Sequence, residues 1–238
     1  MLTLILAESS IERIPRQIAS HPSVIAHARR KRKTPTSLIL DRSYHHSAMM
    51  TIEEKDGSDA MAKRGRPDIA FHVLLQVLGT PLNREGLLRT YIHTIEDKVI
   101  DVDPRLRPPR NYDRFIGILE QLYDQSRVPA RQESLMTIRQ CTLPRLVKDA
   151  ASAAVTVAFS TVGKPVCMED ACLPLVNASE PVVLIGGFAH SHFSESTIQL
   201  TDHVFSVDKE SLDAWVVAGR LIYEYECGMH LPERRLRA

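Results

Sequence analysis

An α/β fold is predicted by two observations. Short, continuously apolar segments recur along the chain, and segments of helical period alternate with them. "AAVTVAFS" (153–160) and "PVVLIGG" (181–187) are apolar throughout, the pattern of strands covered on both faces in a parallel sheet. With 238 residues, 44% of them hydrophobic, the chain can bury one large core, with or without an appended lobe. No apolar run approaches the roughly 20 residues of a membrane span.

The elements follow in order. "LTLILA" (2–7) reads as a buried strand; it is too short for a signal peptide and Glu8 follows at once. "SIERIPRQIA" (10–19) reads as a helix with Ser9 or Ser10 as its cap and Pro15 as a flaw. "SLILD" (37–41) reads as a second strand, and the polar stretch 51–63 as a mobile loop. "PDIAFHVLLQVL" (67–78) is a helix, with Pro67 at its first position and Gly79 at its end. Residues 88–95 and 98–103 flank Glu96–Asp97 as a hairpin. In 111–125, Phe115, Ile118, Leu119 and Leu122 share one helical face. "SLDAWVVAGRLIYEYE" (211–226) is a long, mostly buried helix, and the tail "LPERRLRA" reads as frayed.

The formal net charge is +1, so overall charge does not announce a polyanionic partner. Local clusters do: "RRKRK" (29–33), "KRGR" (63–66) and "RLRPPRNYDR" (105–114). The last sets Arg105, Arg107, Arg110 and Arg114 around two prolines and a helix start, which suits either a solvated loop or a phosphate site. For "RRKRK" a solvated run is the plainer reading. The four cysteines form no CxxC pair and fit free thiols in a reducing cytoplasm, so a cytoplasmic protein is expected. Cys167 and Cys172 lack a histidine at zinc-finger spacing; His45–His46 and His190-x-His192 read as ordinary polar residues, and no metal is expected.

Three stretches at strand ends lie in the C-terminal third. Gly186–Gly187 closes "VVLIGG" and is either a tight turn or a loop that brings a ligand to bare backbone. It lacks the third glycine of a dinucleotide fingerprint. "FSTVGK" (159–164) offers Ser160, Thr161 and Gly163, without the upstream glycine of a P-loop. "DHVFSVDKESLDAW" (202–215) runs from a strand into the last helix. Together they suggest one cofactor pocket built mainly from backbone.

"LILAESSIERIP", "LDRSYHHSAM", "RGRPDIAFHVLL", "YIHTIEDKVIDV", "PRNYDRFIGILEQL" and "VVLIGGFAHS" occur in an order that resembles the ribosome-biogenesis pseudouridine-N1-methyltransferases of the SPOUT superfamily, in an archaeal-type form. The resemblance spans nearly the whole chain. It implies a mostly parallel sheet with helices on both faces and a C-terminal trefoil knot, an exception to the rule against threading. It implies one domain over 1–238, with a basic RNA-binding extension around 42–115 and a knotted cofactor-binding part around 153–227. It implies S-adenosylmethionine as cofactor, a homodimer, a small-subunit ribosomal RNA hairpin loop as substrate with its target base flipped out, and ribosomal proteins as further candidate partners. Carried over by position, the cofactor site takes Ser160, Thr161, Gly186, Gly187, Ser191, Phe205, Ser206, Val207, Asp208 and Leu212. The RNA face takes Arg64, Arg66, Arg107, Arg110 and Arg114. Ser191 departs from the pattern, because relatives carry glycine after "GGF". Arg66 and Asp68 are the catalytic candidates. Arg66 grips a phosphate or stabilises charge on the base, and Asp68 either takes the N1 proton or anchors Arg66. Its place in a first helical turn favours the anchor, since the helix dipole holds a carboxylate there in its ionised, weakly basic form. Two other readings of the resemblance remain: an RNA-holding assembly factor whose methylation is secondary, and a related SPOUT enzyme with another target.

Overall fold

A computed structural model describes residues 1–56, 62–150 and 155–237. The chain opens with β1 (Leu2–Ser9), buried along its whole length. A 3-10 turn at Arg16–Ile18 leads to α1 (Pro22–Lys31), whose start His21 caps by accepting the Ser23 amide. Then come α2 (Arg42–Asp56), α3 (Pro67–Val77), the short α4 (Pro81–Arg84), β2 (Leu88–Thr94), β3 (Lys98–Val102) and α5 (Tyr112–Gln125). The remainder is β4 (Arg127–Val128), β5 (Met136–Gln140), α6 (Leu143–Ala150), β6 (Thr156–Pro165), α7 (Met168–Asn177), β7 (Val182–Gly186), α8 (Glu195–Ile198), β8 (His203–Ser206), α9 (Ala214–Gly228) and α10 (Leu231–Arg237).

The eight strands of the described residues join one sheet in the order β4-β5-β3-β2-β1-β7-β6-β8. The pairings β2–β1, β1–β7, β7–β6 and β6–β8 are parallel, and those joining β2, β3, β5 and β4 are antiparallel. The α/β expectation is borne out, with a parallel half that ends the sheet on β8 and an antiparallel half built on the expected hairpin. Helices cover both faces. On one, Leu4, Leu6, Val183 and Ile185 meet apolar residues of α3, α5, α7 and α9. On the other, Ile5, Ala7 and Leu184 meet Leu143 and Leu146 of α6 and Phe193. Each such side chain contributes ~2 kcal/mol by leaving water, which is why period-2 and period-3.6 apolar patterns decide where these elements pack.

A smaller third cluster, with Ile14, Ile18, Val24, Leu38, Leu40 and Met49, joins the 3-10 turn, α1 and α2. Residues 10–41 depart from the expected helix and strand. Residues 10–19 do not form a helix: Ser9 Oγ donates back to Leu6 O, Ser10 Oγ donates to Lys63 O, and only a 3-10 turn follows Pro15. Proline at that point breaks the ladder before a full turn can close. Residues 37–41 make no strand, only an isolated bridge between Arg13 and Ile39. The stretch 51–63 divides: 51–56 continue α2, 57–61 lie outside the described residues, and 62–65 form a turn with Gly65 at φ 70°. The tail is helical rather than frayed, and Arg235 of α10 pairs with Glu85 at 3.1 Å.

Two histidines join α1 to α2 inside this smaller cluster. The Asp41 amide donates to His45 Nδ1 at 3.0 Å, which leaves the ring proton on Nε2 to face His27 Nδ1 at 2.9 Å. Burial first, then the neighbouring His27, pushes the His45 pKa down to about 4. Both rings are therefore neutral in the folded protein at pH 7.

Candidate functional site

Strands β6, β7 and β8 run parallel, so their carboxyl ends open on one edge of the sheet, where α/β folds bind ligands. The segments that leave them enclose a cavity of about 370 Å³, within the usual range for small-molecule sites. The pairing of β6 with β8 skips between Phe159 and Lys164, and the bulge sets Ser160 and Thr161 on the cavity wall. Gly163 serves the backbone instead. A Cβ there would stand 2.7 Å from the Phe205 amide nitrogen, so glycine is what lets β6 and β8 cross closely.

The two glycines after β7 also part company. Gly186 lines the cavity. Gly187 is absent from the lining; its amide donates to Ala7 O at 2.8 Å, its carbonyl accepts from the Ser10 amide at 2.9 Å, and a Cβ would lie 2.7 Å from Ser9 Cα. Its backbone is committed to β1, with no amide left for a ligand. Ser191, Phe205, Ser206, Val207, Asp208 and Leu212 all border the cavity. Ser206 Oγ donates to Asp208 O at 2.9 Å and shapes the turn after β8. Asp208, Glu210 and Asp213 place three acidic residues along the lining, which suits a ligand bearing positive charge. Trp215, whose ring stands 4.8 Å from that of His72, adds an aromatic wall. Asp213 and Trp215 lie in a stretch singled out by sequence, yet their orientation depends on α9 and was not legible there.

Ser191 has φ 86°, the left-handed backbone that relatives were expected to meet with glycine. Ser191→Gly is therefore expected to stabilise the fold by ~1 kcal/mol, the relief of one strained L-residue less the entropy glycine loses. Urea unfolding of the two proteins measures it; a less stable glycine variant refutes the strain.

Arg66 stands at the cavity edge, just ahead of α3. Its Nε and Nη2 donate to the two carboxylate oxygens of Asp68, both at 2.8 Å. Asp68 thus holds the guanidinium plane with both oxygens engaged. Beside this pair the Tyr112 hydroxyl donates to Asp41 Oδ2 at 2.5 Å, and Asp41 Oδ1 accepts the Ser43 amide. Burial, then the charge of Asp41, raises the Tyr112 pKa, so the phenol stays a donor. This bond ties the first turn of α5 to the residue that precedes α2.

The other basic candidates are spread out. Arg110 and Arg114 are exposed around the start of α5, with no ion pair among the described residues. Arg107 is exposed and its Nη1 reaches Leu106 O at 3.2 Å. Arg64 points elsewhere: its Nε donates to the buried Glu12 at 2.6 Å, on the wall of a separate hollow.

A residue the sequence reading passed over links the two regions. Glu8 is buried at φ 50° near the end of β1. Its Oε1 accepts the Ser194 amide (2.9 Å), Ser194 Oγ (2.7 Å) and Thr197 Oγ1 (2.7 Å), while Oε2 accepts Lys63 Nζ at 2.5 Å. The same ammonium stands 4.5 Å above the Phe188 ring on the cavity wall. One carboxylate therefore fastens the segment after β7 to the segment that carries Arg66. Partners 55 and 186 residues away leave no local signal for this in the sequence.

All four cysteines are free thiols, and burial pushes Cys172 up to about 12, out of reach as a nucleophile or ligand at neutral pH. Among the described residues no three metal-ligating side chains cluster, and no helix is long and apolar enough to cross a membrane.

The sequence profile of the EMG1/NEP1 methyltransferase family matches residues 4–226. A Pyrococcus furiosus protein named ribosomal RNA small subunit methyltransferase Nep1 is 36% identical over 225 residues, 94% of this chain and 96% of its own length. The protein of that name from Pyrobaculum neutrophilum is 41% identical over 214 residues, 90% of this chain and 92% of its own. Among solved structures, Archaeoglobus fulgidus Nep1 bound to S-adenosylhomocysteine matches with a TM-score of 0.82 at 31% identity, covering 96% of this chain and 98% of that one.

Proposed function

We propose, since this chain belongs to the EMG1/NEP1 methyltransferase family, that its strand-end cavity and the arginines beside it carry the methylation of small-subunit ribosomal RNA. The cofactor is S-adenosylmethionine. The observation that carries this is the cavity at the carboxyl ends of β6, β7 and β8, with Arg66 at its edge. The residues present fit the cofactor. The walls are apolar at Ile185, Leu212 and Trp215, the carboxylates of Asp208, Glu210 and Asp213 match its ammonium and sulfonium charges, and backbone at Gly186 and Val207 can bracket a flat base. Ser160, Thr161, Ser191, Phe205 and Ser206 complete that site in this reading, and Gly187 supports it from behind. Bound there, S-adenosylmethionine supplies an electrophilic methyl group.

The finer assignment is the N1 nitrogen of a pseudouridine in an RNA hairpin loop. The chain's own part is then to orient the flipped base and stabilise the charge it gains when N1 loses its proton. Arg66, pre-oriented by Asp68, is placed for that, while Arg110 and Arg114 hold phosphates near the start of α5. The bidentate pair favours Asp68 as an anchor over Asp68 as the base. Mass spectrometry after reaction with a pseudouridine hairpin and its uridine twin tests the target; equal methylation of both rules out N1. Arg66→Ala should weaken hairpin binding about tenfold, the worth of one charge-assisted hydrogen bond, with cofactor affinity nearly unchanged by calorimetry. Asp68→Asn should copy that loss. Full RNA affinity with transfer abolished would instead make Asp68 the base.

The single domain over 1–238, with its RNA-binding extension around 42–115 and knotted part around 153–227, belongs to the same reading, as does a cytoplasmic setting beside ribosomal proteins. So does a homodimer. Val162, Leu173 and Tyr223 are 63%, 53% and 61% exposed on β6, α7 and α9, apolar surface that a second copy would cover. Tyr223→Glu should shift sedimentation from dimer to monomer; an unchanged dimer places the interface elsewhere.

A further inference from the structure

The run "RRKRK" was the plainest of the basic clusters, yet the fold sorts its residues into two kinds. Lys31 Nζ pairs with Asp113 at 2.8 Å and Lys33 Nζ with Glu120 at 2.6 Å. Asp113 and Glu120 are two turns apart on α5, so the lysines clamp the end of α1 along the first half of α5. Arg29, Arg30 and Arg32 are left exposed, without an ion pair among the described residues. Arg30 stacks its guanidinium 5.2 Å from the Tyr44 ring centroid. Tyr44 stands in the first turn of α2, just after Asp41, which receives the Tyr112 hydroxyl.

These contacts form a continuous path. Arg66 and Asp68 lie beside the cavity, Tyr112 and Asp41 beside them, Arg110 and Arg114 around the start of α5, and Arg29, Arg30 and Arg32 on the helix end clamped to it. We infer that α1 extends the RNA face, and that Arg29, Arg30 and Arg32 take backbone phosphates of the stem that carries the target loop. A nucleic acid is favoured there on three grounds. Five arginines share this end of the molecule without an ion pair among the described residues, while the two acids that meet the run are already engaged by its lysines. Arg29, Arg30 and Arg32 sit at the C-terminus of α1, where the dipole steadies a cation but offers an anion nothing, so the side chains must do the binding. The site is an exposed helix end rather than a cleft, which suits a polymer of regularly spaced phosphates.

The inference rests on the RNA reading above, and its test separates the two. Fluorescence anisotropy would follow two labelled hairpins, one with a long stem and one with the same loop on a minimal stem, across a range of salt. The variant is Arg29→Gln, Arg30→Gln and Arg32→Asn together; asparagine suits the left-handed φ of 54° at position 32. Lys31 and Lys33 are kept, so α1 stays docked. Long-stem affinity should fall by at least about tenfold at low salt, and the salt slope by about two to three, one phosphate per arginine. Minimal-stem affinity should stay near wild type. The triple Arg→Lys protein should keep the slope, which separates lost charge from a folding defect. Wild-type binding by the glutamine–asparagine variant, with Arg110→Ala weakened, overturns the extension and leaves the loop face standing. Wild-type binding by both overturns the RNA face itself. Equal losses on the two hairpins overturn the assignment to the stem.

Discussion

Glu8→Ala is expected to destabilise the protein by about 3–5 kcal/mol, the usual cost of removing one partner from a buried ion pair. The carboxylate gathers four donors, and its removal leaves the Lys63 ammonium, two hydroxyls and the Ser194 amide without their acceptor. Burial alone would raise the pKa of Glu8; the bonds from Lys63, Thr197 and Ser194 overcome it and hold the group below its ordinary value. That net direction shows the ionised form is the one the fold stabilises. A comparison of alanine with glycine separates two causes, because residue 8 sits at φ 50°. Glu8→Gly should recover ~1 kcal/mol of the loss by relieving the backbone, although it restores no bond. Urea unfolding of the three proteins decides it, and a loss under ~1 kcal/mol for alanine would show that water replaces the carboxylate freely. Since Glu8 holds both the segment after β7 and the segment carrying Arg66, cofactor and RNA affinity should fall together in this variant, unlike in Arg66→Ala.

Acid should weaken the fold by a comparable amount through His45. Its folded pKa lies at about 4, below the ordinary 6.5, so between those values the unfolded chain binds a proton that the folded chain refuses. Stability is therefore complete above pH 6.5 and is lost as pH falls towards 4. A shift of this size corresponds to ~3 kcal/mol. The groups facing the ring allow no easy rescue: His27 is itself held below its ordinary value by burial and by Arg30 and Lys31, and Asp41 presents its amide to Nδ1. His27 and His93 add to the loss in the same direction, and protonation of Glu8 extends it to lower pH. Unfolding free energies across that window, for wild type and His45→Gln, measure the share of His45. Parallel curves for the two proteins would assign the acid sensitivity elsewhere.

What the sequence revealed follows from the range of the forces involved. Continuous apolar strands and α3 were legible because burial on both faces, and Pro67 at a helix start, leave local marks. Residues 10–19 misled because Ile11, Ile14 and Ile18 keep helical spacing without sharing a face: Ile11 packs in the main core, and Ile14 and Ile18 in the smaller cluster. Helix α1 went unread because only Val24, His27 and Ala28 of its ten residues are buried and its end is a charge run. The cavity was legible as three strand ends in one part of the chain. Its supports were not. Glu8 acts through partners far along the chain, and Gly187 looked like a ligand contact when its neighbour is Ser9.

The closeness of Gly163 to Phe205 and of Gly187 to Ser9 bears on how mutational scans of this protein should be read. Replacing either glycine by alanine forces backbone to move beside the cavity, so activity is expected to fall without any ligand contact being removed. A scan scored by activity alone would rank both among the catalytic positions. Scored also by folded yield, it would place them with the architecture and leave the chemistry to the cavity wall and the arginines at its edge.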